Sequence, residues 1–308
     1  MLIAAFLTVM VAGLVVTALA SQRTLESARD LAERLELSPF IIGVTVVALG
    51  TDLPEIANSI AASATGHGDV NVGDSVGSSL TQITLILGLL CLVGRVTSDR
   101  KFVAVAGSFT VASVLLGSLL LLDGEMTRLD GLVLVSAWVV GMVLVQRLGH
   151  IVTVEQRVLF HSGTLAVLRR LAGGLLVVGG SALLAVWAFT EVAARLGVPE
   201  YATSFLALSL GTSLPELAVD GRALRAGESS LALGGLIGAS LADATLSLGI
   251  GPLLFPTTVS SSAAGGSLIA AAVMGVAVVW LWSRSEHHRG SGVVLILAYA
   301  CAYLVILS

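Results

Sequence analysis

Apolar residues along this chain come in unbroken runs of helical length. Residues 2–20 (LIAAFLTVMVAGLVVTALA) carry no charge, and 102–122 and 131–145 are alike. A run of about 20 apolar residues crosses the hydrocarbon core of a bilayer as a helix, and buried helices of soluble domains rarely reach that length. The pattern predicts ten spans, at 2–20, 39–64, 71–94, 102–122, 130–146, 169–190, 201–221, 229–255, 264–283 and 291–307. The first run lacks the positive start of a signal peptide and is read as a membrane helix. Between the spans, 21–37 (SQRTLESARDLAERLEL) places Leu25, Ala28, Leu31, Ala32 and Leu35 at helical spacing. Such spacing fits an amphipathic interfacial helix or a solvated helical connector. The stretches EHHRGSG and TTVSSSAAGG read as loops.

Composition removes the soluble alternative. The 308 residues are 56% hydrophobic and 12% charged, where a soluble domain carries about 25% charged residues. The distribution of charge adds orientation. Of 16 Lys and Arg, only Arg128 and Arg195 fall on one side of the ten-span layout, leaving 14 on the other. The basic side faces the cytoplasm, so both termini face outward. The fold expected is an all-α polytopic protein of the cell membrane, with the lipid bilayer as its surroundings and no nucleic-acid partner. Cys91 and Cys301, both in apolar segments, form neither a disulfide framework nor a metal spacing.

The chain also repeats itself. Residues 41–91 slide without a gap onto 202–252, an offset of 161. Gly50, Thr51, Leu53, Pro54 and Glu55 fall on Gly211, Thr212, Leu214, Pro215 and Glu216. Gly73, Gly77, Ser79, Leu80, Thr84 and Gly88 fall on Gly234, Gly238, Ser240, Leu241, Thr245 and Gly249. Five spans separate the copies, an odd number, so the copies cross in opposite directions: two inverted five-helix repeats. The halves are 1–146 and 169–308, joined by a cytoplasmic connection at 147–168. Inverted repeats typify secondary transporters, with the binding site near the midplane.

The repeated segment carries hard oxygen ligands. Pro54 and Pro215 interrupt the helical ladder, freeing carbonyls near Val47 and Ala48 in one copy and Leu208 and Ser209 in the other. An unwound stretch is tolerated in a membrane only where it lines a protein cavity. Freed carbonyls, threonine hydroxyls and a carboxylate suit Na⁺ or Ca²⁺. A charge at the bilayer centre costs at least about 2.5–3.5 kcal/mol, and Glu55 and Glu216 occupy matching mid-span positions. Packing is the competing role for a single buried glutamate, but two at equivalent positions argue for function. Ser78 and Gln82 share a helix face, and Asp243 holds the repeat position of Gln82, which suggests a cavity-facing position, with an interhelical hydrogen bond as the competing role. The glycines at 73, 77, 234 and 238 are assigned to close helix packing. Asp74 is placed near the mouth of its span, as a solvated surface group in preference to a cation-attracting one. The five histidines all fall in connections, which disfavours a histidine site in the membrane. It also disfavours an intramembrane serine enzyme, so the chain is not read as an enzyme.

These segments, at 43–91 and 204–252, resemble the alpha-1 and alpha-2 repeats of the sodium/calcium exchanger family within the cation/calcium exchanger superfamily. The resemblance implies exchange of one divalent cation for several Na⁺ by alternating access, with no tightly bound cofactor and a monomer sufficient for transport. It makes Glu55 and Glu216 the shared central ligands and adds oxygen from Thr51 and Thr212. Ser213, Ser78, Gln82 and Asp243 complete the sites. Three departures stand out: Asp52 where the family has serine, Gln82 where asparagine is common, and Ala239 where serine is usual. With Asp52 facing the cavity, four carboxylates would crowd one site and could not all stay ionised without cations. That favours tighter divalent binding or coupling to H⁺. The leading expectation is a Na⁺-driven Ca²⁺ antiporter, the alternative a proton-coupled antiporter on the same scaffold. A cation channel is a less favoured third reading.

Overall fold

A computed structural model describes residues 2–34, 52–147, 163–225, 227 and 229–306. They are almost wholly helical. In chain order the elements are α1 (Leu2–Arg34), α2 (Leu53–Ala64), α3 (Gly68–Val93), β1 (Val96–Thr97), α4 (Arg100–Asp123), β2 (Glu125–Met126) and α5 (Arg128–Arg147). Next come α6 (Thr164–Leu196), α7 in short pieces over 200–212, α8 (Leu214–Arg225), α9 over 229–254, β3 (Thr257–Thr258), α10 (Ser261–Ser283), β4 (Glu286–His287) and α11 (Arg289–Ile306).

Among the described residues, seven helices are long and apolar enough to cross a membrane. The span expected at 39–64 lies partly outside the described residues. The one expected at 201–221 is broken: α7 ends at Thr212 and α8 starts at Leu214. Outward side chains are large and apolar, among them Leu176, Val276 and Leu304. A surface of that kind is stable against hydrocarbon, not water, so the chain is a multi-pass membrane protein.

Element boundaries repeat at the 161-residue offset seen in the sequence. α2 matches α8, and α3 matches α9, end for end; both β1 with β3 and β2 with β4 also match. The turns leading into α3 and α9 match as well, with Gly66 and Gly227 at φ 80° and 86°, a left-handed conformation that glycine adopts without strain. β1 pairs antiparallel with β4, and β2 with β3. One ribbon joins the start of α4 to the end of α10, and the other joins the end of α4 to the start of α10. The two repeat mates therefore run in opposite directions. At 24 residues and about 1.5 Å per residue, α4 holds the ribbons roughly 36 Å apart.

Three expectations change. The stretch from 21 is no separate surface helix: α1 runs without a break to Arg34, against α6, with Thr17 and Ser181 hydroxyls 2.8 Å apart. α6 begins at Thr164, so the helix takes in the last residues of the connection expected at 147–168. The loops read at EHHRGSG and TTVSSSAAGG are shorter, each holding a ribbon strand before the next helix starts at Arg289 or Ser261.

α3 and α9 form the centre. Gly73 and Gly77 let α3 close on α7: a Cβ built on Gly77 would lie 2.7 Å from the Phe205 carbonyl, and one on Gly73 2.8 Å from that of Tyr201. The packing role expected of these two holds. A Cβ built on Gly238 meets no described atom within 4 Å, and the packing role expected of it is not decided by the described residues.

Candidate functional site: a buried carboxylate cluster at the repeat axis

Each half brings a carboxylate to the centre on a helix that starts abruptly. In the first, Asp52 precedes α2 and Pro54 stands in its first turn, where a missing N–H costs nothing. Glu55 is in the same turn and buried. In the second, Ser213 separates α7 from α8, and Glu216 lies in the first turn of α8. Proline thus starts a new helix rather than kinking a continuous one. Helix N-termini hold spare N–H groups and a partial positive charge, which helps to place an acidic side chain there.

α3 and α9 supply the rest from an unusual local geometry. Both widen into a π-helical turn at equivalent positions, Gln82–Ile86 and Asp243–Ser247. Such turns cluster at functional sites. Gln82 and Asp243 open these turns and touch: Gln82 Nε2 donates to Asp243 Oδ2 at 2.9 Å. Thr84 and Thr245 each donate to the carbonyl four residues back, Leu80 and Leu241, at 2.5 Å.

The cluster is rich in negative charge. Glu55 interacts electrostatically with Glu216, Asp243, Asp52 and Asp74, and Asp243 with Asp52, Glu216 and Asp74. The described charges that act on Glu55 are all carboxylates. Both oxygens of Glu55, both of Glu216, Asp243 Oδ1, Gln82 Oε1 and Ser213 Oγ are buried without a hydrogen bond to a described residue. Native interiors rarely leave such groups unsatisfied, and every atom of this set is an oxygen, the ligand type that suits a hard cation. Among the described residues no three acidic, histidine or cysteine side chains converge as a preformed metal centre. Neutral oxygens are also buried in the site.

Those neutral oxygens form a node beside the carboxylates. Thr212 Oγ1 lies 3.2 Å from Ser78 Oγ and 3.2 Å from the carbonyls of both Leu208 and Ser209. Ser78 Oγ reaches the Ser209 carbonyl at 3.5 Å. The expectation of free carbonyls in the second copy is corrected: the Ser209 carbonyl keeps its helical bond from the Ser213 N–H at 3.1 Å, and hydroxyls approach it and the Leu208 carbonyl besides. Thr51 and Ala48, expected in the site, lie outside the described residues.

The sequence reading of Asp74 as a solvated group is wrong. Asp74 is 1% exposed, accepting from Asn58 Nδ2 and Thr212 Oγ1 at 3.1 Å each. It lies one turn before Ser78 on the same face of α3, and Asn58 lies one turn after Glu55 on α2; that spacing was the available signal. Asp220, one turn after Glu216, is a further buried carboxylate that sequence reasoning passed over; its charge acts on Glu216.

Comparison with known proteins matches the sequence pattern of the family described as Sodium/calcium exchanger protein, once over residues 5–146 and again over 167–308. The chain belongs to the sodium/calcium exchanger family. It is 31% identical to the inner membrane protein YrbG of Escherichia coli over 93% of this chain and 92% of that one. It is 27% identical to the sodium/calcium exchanger MaX1 of Methanosarcina acetivorans over 97% of each chain. Among solved structures, the sodium-calcium exchanger NCX_Mj aligns over 98% of each chain with a TM-score of 0.60 at 26% identity. The H⁺/Ca²⁺ exchanger CAX aligns over 98% of this chain and 85% of its own with a TM-score of 0.74, and at 18% identity it shows the shared fold alone. Membership makes this exchanger-family chain a cation/calcium antiporter.

Proposed function

We propose that this protein exchanges Ca²⁺ for Na⁺ across the cell membrane by alternating access at a midplane site between two inverted five-helix halves. The halves are 1–146 and 169–308, ten crossings in all, with the connection 147–168 in the cytoplasm and both termini outside. The observation that carries the reading is the pair Glu55 and Glu216: equivalent in the repeat, buried, with all four carboxylate oxygens lacking a described hydrogen-bond partner. Uncompensated charges in an interior are strongly unfavourable, so the empty site resists reorientation and the loaded one does not. That difference gives exchange instead of leak. Na⁺ and Ca²⁺ compete for the same oxygens of Glu55, Glu216, Asp243, Thr212, Ser213, Ser78, Gln82 and the Ser209 carbonyl. Thr51, Asp52 and Ala48 belong to the same proposed set. The ions are cargo, and transport needs no resident cofactor and no second copy of the chain.

Proteoliposomes loaded with Na⁺ and diluted into Na⁺-free medium are expected to accumulate radiolabelled Ca²⁺. Accumulation under an H⁺ gradient and none under a Na⁺ gradient overturns the reading in favour of Ca²⁺/H⁺ exchange. One feature supports that second reading: Asp52 and Asp74 enlarge the set of carboxylates whose charges act on Glu55, and a crowded set can exchange protons as well as metal ions.

A further inference from the structure

Asp220 is a buried carboxylate that the proposed ion site leaves unused. It is 6% exposed, and no hydrogen bond or positive charge from a described residue reaches it. A carboxylate that braced one helix against another would be held by donors, as Asp74 is held by Asn58 and Thr212. Asp220 lies instead against bare backbone: a Cβ built on Gly235 would stand 2.6 Å from its Oδ1. Glycine at 235 thus makes room on α9 for a side chain of α8.

The repeat places this carboxylate. Gly235 is the mate of Asp74, and Asp220 is the mate of Ser59. The helix pair α2–α3 carries its buried carboxylate on α3, and the pair α8–α9 carries one at the corresponding level on α8. The two lie on opposite sides of the centre. α3 starts at the β2–β3 ribbon, where Ser260 N donates to Asp69 Oδ1 at 2.7 Å, and α9 starts at the β1–β4 ribbon, where the Thr97 and Ser229 hydroxyls lie 2.6 Å apart. Gly235 stands eight residues before Asp243, about 12 Å along the helix. Asp220 is therefore between the central cluster and the β1–β4 ribbon. α8 leads the same way, from Glu216 through Asp220 one turn on to the exposed Arg225. The charge of Asp220 acts on Glu216.

We propose that Asp220 is an entry site for hard cations, Ca²⁺ and Na⁺, on the passage between the central cluster and the β1–β4 ribbon. A carboxylate with no donor of its own leaves both oxygens to an arriving ion. A charge between low-dielectric walls focuses the field and raises the local cation concentration. The ion then moves one helical turn to Glu216. Standing on one passage alone, Asp220 governs entry from one face of the membrane. The entry site rests on the antiporter reading and lies outside the central set of ligands.

The test measures Ca²⁺ self-exchange, which needs no coupling ion, by the full-length chain in right-side-out and everted membrane vesicles. The face that carries the β1–β4 ribbon is identified by reaction of a Ser285→Cys variant with a membrane-impermeant maleimide. Asp220→Asn is expected to raise the half-saturating Ca²⁺ concentration on that face by about tenfold relative to the opposite face, the lower end of what a focused field adds to encounter. The dependence of that value on ionic strength should flatten as well. Gly235→Ala, which pushes the carboxylate from its place, is expected to act in the same direction by a smaller factor, and Asp220→Glu to restore most of the wild-type value. Transport from the opposite face marks a variant as folded; should Asp220→Asn fail that check, Gly235→Ala decides. An equal shift on both faces overturns the entry site and assigns Asp220 to the affinity of the central cluster. Half-saturation unchanged on both faces of the folded variants overturns it too. A wild type that carries no Ca²⁺ from either face defeats the antiporter reading, and the entry site with it.

Discussion

Ser79 and Ser240, 161 residues apart and equivalent in the repeat, bond to each other reciprocally: Ser79 Oγ donates to the Ser240 carbonyl at 2.9 Å and Ser240 Oγ to the Ser79 carbonyl at 3.0 Å. A residue can touch its own repeat mate in this way only near a two-fold axis, as in an isologous dimer contact. Gln82 and Asp243, one turn on, are the next mates in contact. The axis thus passes between α3 and α9, and the serines hold the crossing while the residues beyond them belong to the buried polar cluster. Ser79→Ala and Ser240→Ala are each expected to destabilise the protein by about 1 kcal/mol, since each removes one buried hydrogen bond. Thermal denaturation of the single and double variants checks this. A double variant no worse than either single would show that the two bonds act as one unit.

The glutamates, whose carboxylates have no hydrogen-bond partner among the described residues, predict a variant whose stability and activity part company. Glu55→Gln and Glu216→Gln replace a buried carboxylate by a neutral side chain of the same shape. Each is expected to abolish Ca²⁺ uptake and to stabilise the ion-free protein, because repulsion within the cluster falls. Ca²⁺ at a hundred times its dissociation constant stabilises a binding protein by about 2.7 kcal/mol, and the variants should lose that gain. Melting curves with and without Ca²⁺ measure both effects, and full uptake in either variant would remove it from the central position.

Asp52 marks the sharpest difference between the halves, since its repeat mate is Ser213. Asp52 is buried, and its charge acts on Glu55, Glu216 and Asp243. Asp52→Ser restores the symmetric motif and removes one member of a mutually repelling set. The expected outcome is weaker apparent Ca²⁺ affinity with a flatter dependence on pH, measured as Ca²⁺ uptake across a pH series. An unchanged pH profile would place Asp52 outside the ion path.

The repeat was legible in the sequence because polar residues inside apolar runs are few and costly, so matches between them carry information. Glu55 with Glu216 and Gln82 with Asp243 were found by that logic, and both pairs are buried at the centre. The π turns at Gln82 and Asp243 were not legible, since the widening of one helical turn leaves no residue-type signature in QITLI or DATLS. Asp74 was missed for a different reason. It was judged by its distance from the end of a span, whereas its burial follows from the close approach of α7 at Gly73 and Gly77. Span ends failed likewise at Arg34 and Thr164, where helices continue past the apolar run because polar residues do not by themselves terminate a helix; on α1 Thr24, Ser27 and Asp30 are buried.

The ribbon between β1 and β4 gives a pH dependence outside the membrane spans. His287 is fully buried there, with Nε2 3.2 Å from Ser98 Oγ and Nδ1 unpartnered among the described residues. Burial holds the imidazole below its ordinary value of 6.5, and the charges of Arg284 and His288 press the same way. The native ribbon therefore favours neutral His287, while the opened ribbon protonates near the ordinary value. The stabilisation is fully present above pH about 6.5 and is lost as the pH falls towards the native pKa. Arg95 pairs with Glu286 across the same ribbon and holds that exposed carboxylate below its ordinary range, so Glu286 stays ionised through this window. Hydrogen exchange at 95–98 and 284–288 is expected to quicken on acidification in the wild type. In His287→Gln, which keeps an amide for Ser98 and cannot titrate, exchange should stay level over the same range; a wild type equally insensitive to acid would show that His287 does not open the ribbon.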